Sequence, residues 1–382
     1  MMSFFKHMAG LLPFVQTPRA QRRVVFYSEG PTYWVHLQGL VQALLASGEV
    51  PVCYVSSNPA DPGLALQHAN YKTFLIDQGW VRNWFFENLQ ADVLVMTMPD
   101  LDQYQVKRSK HPVHYVYVQH SLVSFHMVYR PGAFDAFDSV FCAGPHHLKE
   151  IDAITTHKNL PPKHVVAHGY ERLDAIIHHH AQREPVVKGP DAPIHVLLAP
   201  SWGPHCILET VGAEVVAHLL ENNFRVTVRP HPQTRKFAAQ NIRQLEQAHG
   251  QNPLFSLETG VAGQETLHQS DLMICDWSGA ALDYAFGLHK PVLFIDVPRK
   301  VNNPDYPALN LEPFEATIRP QIGRVLPVEH LQELADTVRS LLQSWQPETV
   351  AHLRHQHVFN VGQSSKAGAA AIQKLLQRLG PN

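Results

Sequence analysis

The stretch "SDLMICDWSGAALDYAFGLHKPVLFID", Ser270 to Asp296, changes periodicity twice. Leu272 to Cys275 is an unbroken apolar run that reads as a strand buried on both faces, "GAALDYAF" reads as a helix, and "PVLFID" as a second buried strand. Strand, helix and strand in that order is the unit from which a parallel sheet is wound, so the stretch predicts an α/β protein. Its helix has to begin at Asp276-Trp277-Ser278-Gly279, with Asp276 or Ser278 supplying the capping oxygen. A helix start that opens into a cleft presents unpaired N–H groups and a positive dipole end, for which phosphate is the expected guest. Gly279 permits close approach and the Ser278 hydroxyl can add a donor, although plain capping would account for the same residues taken alone.

Outward from that unit the same rhythm covers most of the chain. "RRVVFYSEG", "VPVCYVSS", "ADVLVMTMP", "VHYVYVQHS", "DSVFCAG" and "HVVAHGY" are short apolar runs separated by longer amphipathic segments. A polar, proline-containing and histidine-rich linker follows, His178 to Pro193, and then a second series that includes "IHVLLAPSWG", "FRVTVRPHP" and the opening stretch. The expected architecture is α/β with two tandem doubly wound Rossmann-like domains facing a cleft, where ligands bind at the carboxyl ends of the strands. The domains are expected at 1–182, on the acceptor side, and 183–350, holding the nucleotide; a helical segment, 351–382, can pack back across the first domain.

With 382 residues, 45% hydrophobic and 17% charged, and a formal net charge of −2, the chain has no basic nucleic-acid surface and no sign of disorder. Its four cysteines, Cys53, Cys142, Cys206 and Cys275, lie far apart and read as reduced and buried, which points to a cytoplasmic protein. No apolar run is long enough to span a bilayer. The first residues read as an uncleaved segment in which Phe4, Phe5, Leu11, Leu12 and Phe14, with Lys6, Arg19, Arg22 and Arg23, could form an apolar wedge with a basic rim. Two readings stay open for it: peripheral contact with the inner membrane surface, or packing on its own domain.

Four further motifs fall where strands should end. "VTVRPHPQTR" places Arg229 and His231 between rigid prolines, and a guanidinium beside an imidazole suits a phosphorylated ligand. "YVYVQHS" ends a strand at His120, a candidate general base. "HGYERLD" offers Arg172 either to phosphate or to a local carboxylate, and "LLAPSWG" puts Ser201 in a turn able to line the same cleft. The Asp100-Leu101-Asp102 triplet and the histidine runs at 146–147 and 178–180 lack metal-site companions, and the histidines read as solvated surface. Glycine-rich dinucleotide, Walker and esterase motifs do not occur.

In register, these motifs resemble the CDP-glycerol glycerophosphotransferase family, the teichoic-acid primases and polymerases, most specifically over Ala199 to Val297. The resemblance implies a GT-B type fold and a CDP-linked donor whose pyrophosphate sits at Ser278 and Gly279 under the clamp of Arg229. It also implies His120 and His231 as the two catalytic histidines, no cofactor and no metal. The reaction implied moves glycerol phosphate, or a related polyol phosphate, to a lipid-linked or glycan hydroxyl and releases CMP. The chain departs from the family in having Ser121-Leu122-Val123 after His120 where Gly-Thr-Pro is usual, Gly279 where a hydroxyl residue is usual, and Trp277 where Tyr is usual. A GT-B glycosyltransferase or sugar-nucleotide epimerase using a UDP-linked sugar, and a binder without turnover, are the alternatives.

Overall fold

The structure, a computed structural model, describes residues 10–184, 189, 191–258 and 265–380. Seven strands form the first sheet: β1 Val24–Ser28, β2 Val52–Ser56, β3 Tyr71–Leu75, β4 Val93–Met96, β5 His114–Val118, β6 Ser139–Cys142 and β7 His164–Ala167. They lie in the order β3-β2-β1-β4-β5-β6-β7 with every pair parallel. Six more form the second sheet: β8 His195–Leu198, β9 Arg225–Val228, β10 Phe255–Leu257, β11 Leu272–Cys275, β12 Val292–Asp296 and β13 Gly323–Pro327. Their order, β10-β9-β8-β11-β12-β13, is again wholly parallel and reverses direction between β8 and β11. Such a reversal opens a crevice beyond the strand ends.

The apolar runs explain this arrangement. β1, β2 and β11 are buried along their whole length because helices cover both faces of each sheet. In the opening stretch the predicted helix spans Ala280–Leu288 and is buried from Ala281 to Leu288, as its nearly uninterrupted apolar sequence requires. The four cysteines are free and buried. No described helix is long and apolar enough to cross a membrane.

The final helix, Ser364–Leu379, lies on the first half of the chain, where Ile372, Leu375 and Leu376 join a core with Leu40, Val41 and Leu44. Each such side chain contributes about 1.5–3 kcal/mol by leaving water, enough to hold the chain end across the molecule. Of the two readings of the N-terminal segment, packing on its own domain describes Leu11 and Phe14. Leu11 and Phe14 turn inward from the helix Leu11–Gln16, and Phe14 meets Phe74 and Phe85 edge-on at 5.2 and 5.1 Å. Arg19 and Arg23 are both bonded to the buried Asp92. Phe4, Phe5 and Lys6 lie outside the described residues.

Candidate functional site

The candidate residues stand beyond the carboxyl ends of β5, β7, β8, β9, β11 and β12. His120 follows β5 by two residues and its imidazole is enclosed by aromatic rings. His36 lies 5.6 Å away between centroids, and Tyr33 and Tyr129 each 6.1 Å. Burial pushes the His120 imidazole down to about 4, so it is neutral near pH 7. Its Nδ1 is 3.0 Å from the Tyr117 hydroxyl. The Tyr117 and Tyr129 hydroxyls and the His120 N–H all donate to Gln119 Oε1, each at 3.1 Å. In the tautomer whose Nδ1–H donates to the Tyr117 oxygen, Nε2 of His120 keeps its lone pair.

His231 is set in the opposite sense. It caps the helix Pro232–Phe237, its Nδ1 accepting the Gln233 N–H at 3.1 Å, so in the neutral ring Nε2 carries the proton. Burial, helped by the charge of Lys300, pushes this imidazole down to about 4 as well. His231 is thus arranged to donate a hydrogen bond, and His120 can accept a proton in the tautomer described.

Arg229 forms a bidentate pair with Glu258, Nε to Oε2 at 2.8 Å and Nη2 to Oε1 at 3.0 Å, which fixes the plane of the guanidinium. Burial lowers its affinity for the proton, Glu258 opposes this, and the positive charge of Arg172 adds to the lowering. Arg172 is thereby placed near Arg229, and it also helps, after burial and His120, to depress His36. Its partner is not a local carboxylate but Asp283, at 2.8 Å, on the helix that follows Ser278. The ion pair joins the helix Glu171–Ala181 to Ala280–Leu288 and keeps a guanidinium beside the cleft.

At the start of Ala280–Leu288, whose N-cap residue is Gly279, the Ser278 hydroxyl accepts the Ala280 N–H at 3.3 Å. Asp276 does not cap this helix. Its buried carboxylate accepts the N–H groups of Ser201 at 2.7 Å and Ile207 at 3.2 Å, so it ties down the loop after β8 and is not available to a ligand. Removing it would leave two backbone donors unpaired, at a cost of about 1–3 kcal/mol each. Ser201 is nearly buried in that loop and, with Trp202, Trp277, Arg299 and Lys300, lines a cavity of about 380 Å³. The Lys300 ammonium stands 4.0 Å from the centroid of Trp202, and burial lowers it to about 8. Trp202, which lines the cavity, is in turn stacked 6.1 Å from His231.

Sequence reading assigned His146 and His147 to solvated surface, and the structure corrects this. Nε2 of His146 and of His147 each donate at 2.9 Å, to the carbonyls of Leu122 and Val123, while His147 Nδ1 accepts the Ala143 N–H. The pair grips the loop directly after His120. The residues missed altogether were Tyr33, His36, Tyr117, Tyr129, Trp202 and Lys300. Tyr33 and His36 follow β1 and Lys300 follows β12, so their place beyond strand ends was the one available signal.

Residues 151–299 match the family described as CDP-Glycerol:Poly(glycerophosphate) glycerophosphotransferase. That segment is similar to this family. It contains Arg172, Ser201, Arg229, His231, Ser278 and Gly279; His120 lies before it. The match supports a glycerophosphotransferase-like enzyme. Among solved structures, the wall teichoic acid polymerase TagF, in a form soaked with CDPG, has 12% identity and a TM-score of 0.59, covering 99% of this chain and 98% of that one. The S. aureus MnaA–UDP co-structure has 12% identity, a TM-score of 0.60 and coverage of 93% and 98%. A Methanocaldococcus jannaschii UDP-GlcNAc 2-epimerase in complex with UDP-GlcNAc and UDP has 13% identity, a TM-score of 0.59 and coverage of 92% and 99%. At these identities the likeness shows a shared GT-B type of fold. No curated protein matches this chain in sequence.

Proposed function

We propose that this glycerophosphotransferase-like enzyme holds a CDP-linked polyol donor in the second domain and transfers polyol phosphate to a hydroxyl of a membrane-linked or glycan acceptor. The acceptor O–H attacks the phosphorus that carries the polyol. Its proton passes to Nε2 of His120, the bond from that phosphorus to the bridging oxygen breaks, and CMP leaves with the oxygen. His231 Nε2–H and Arg229 face the charge that builds on the phosphates, and the pyrophosphate meets the Ser278 hydroxyl and the N–H groups of the helix start. The nucleoside fits the cavity beside Trp202 and Lys300, where an aromatic face and an ammonium suit a base and a phosphate. The observation that carries this reading is that both histidines are held through Nδ1, His120 by the Tyr117 hydroxyl and His231 by the Gln233 N–H, which leaves Nε2 of each for the substrate.

The donor base separates this from the UDP-sugar alternative. CDP is expected to raise the melting temperature and UDP to leave it unchanged; stabilisation by UDP alone would overturn the reading.

Peripheral membrane contact belongs to the same proposal. Leu12, Val15, Leu75, Trp80 and Trp84 are exposed on three neighbouring elements of the first domain, brought together by the Phe14 contacts with Phe74 and Phe85. Two tryptophans one helical turn apart suit the interfacial zone of a bilayer. Changing Trp80 and Trp84 together to alanine is expected to lower binding to phosphatidylglycerol vesicles by at least about tenfold while CDP binding is kept. Unchanged vesicle binding would remove this face from the account.

A further inference from the structure

Gly279, at the mouth of the helix Ala280–Leu288, faces a side chain from the other domain. A Cβ built there would lie 2.7 Å from Ser121 Oγ and 3.4 Å from a methyl of Val123. Gly279 has φ −59° and ψ −19°, ordinary for any residue, so the backbone does not require glycine. The space does, because Ser121 fills it. Ser121 is the residue after His120, and its loop is held in place by His146 and His147 and by Leu122 and Val123, which pack with Ala281 and Leu282.

The two serines at this point are bonded alike. Ser121 Oγ accepts the Val123 N–H at 3.3 Å and Ser278 Oγ accepts the Ala280 N–H at 3.3 Å. Each hydroxyl has a lone pair committed to its own turn and keeps its proton to donate.

We propose that Ser121 is a ligand of the donor's pyrophosphate, its hydroxyl standing across the domain interface where a side-chain hydroxyl at position 279 would otherwise stand. The inference rests on the proposed donor site and deepens it. Ser278 and Ser121 hold the diphosphate from opposite domains, and the residue next to the base thereby couples donor binding to the position of His120.

A double-mutant cycle tests this, with CDP binding by calorimetry and CMP release from CDP-glycerol as readouts and melting temperature as the check on folding. Ser121→Gly is expected to weaken CDP binding and kcat/KM by roughly tenfold, the effect of one hydrogen bond to a charged group. Gly279→Ser alone is expected to lose at least as much, since its side chain meets Ser121 Oγ. The double variant is expected to return to within about threefold of wild type. CDP binding by the wild type with Ser121→Gly unaffected, or a double variant no better than the worse single, overturns this inference and leaves the donor reading standing. A wild-type protein that binds no CDP overturns both.

Discussion

Replacing His120 with alanine is expected to lower kcat/KM for CDP-glycerol by roughly 10²–10⁴-fold, the range of a general base, while CDP still binds. The imidazole is placed by Tyr117, Gln119 and a ring of aromatic side chains. Its neighbour His36 is buried and pushed well below its usual range by burial and then by the charges of His120 and Arg172. Its Nδ1 is buried and makes no hydrogen bond. Because burial holds His120 at about 4, the acid limb of kcat/KM in the free enzyme should fall only as pH drops through about 4, not through the ordinary histidine value near 6.5. Stability follows the same difference with a definite sign. Between about 6.5 and 4 the unfolded chain binds protons at His120 and His231 that the folded chain does not, so the melting temperature falls as pH is lowered across that window. Full activity in His120→Ala, or an acid limb near 6.5 with no fall in melting temperature, would contradict the assignment.

His231→Ala is expected to cost roughly 10²–10³-fold in kcat with a smaller change in KM, as for a hydrogen-bond donor aimed at developing charge. His231→Asn separates this role from a structural one. The asparagine side chain can cap Pro232–Phe237 in place of Nδ1, so the fold should be kept while the Nε2–H donor is lost. Equal kcat in wild type and His231→Asn would show that the ring serves only as a helix cap.

The parts of the site that were readable in the sequence are those made by a change of local periodicity. Arg229, His231, Ser278 and His120 each lie just past a buried strand, and an apolar run followed by a break is visible without coordinates. The partners that decide their chemistry were not visible. Glu258 reaches Arg229 across 29 residues, and Asp283 reaches Arg172 across 111, because pairing between loops depends on strand order. Asp276 looked like a cap, yet its carboxylate was claimed by two N–H groups from the adjacent loop, which the parallel pairing of β8 and β11 brings alongside. Gly279 looked like the loss of a phosphate donor, and only the apposition of the two domains revealed Ser121 against it. Leu11 and Phe14 were open to two readings because an amphipathic segment of six residues packs on lipid or on protein by the same apolar face.

The most direct test of the whole account is release of CMP from CDP-glycerol by the purified full chain, followed together with transfer of radiolabelled glycerol phosphate to a glycan or lipid-linked acceptor. Equal amounts of CMP and transferred glycerol phosphate, both abolished in His120→Ala, are the predicted result. Absence of CMP with every acceptor, alongside turnover of a UDP-linked sugar, would contradict it.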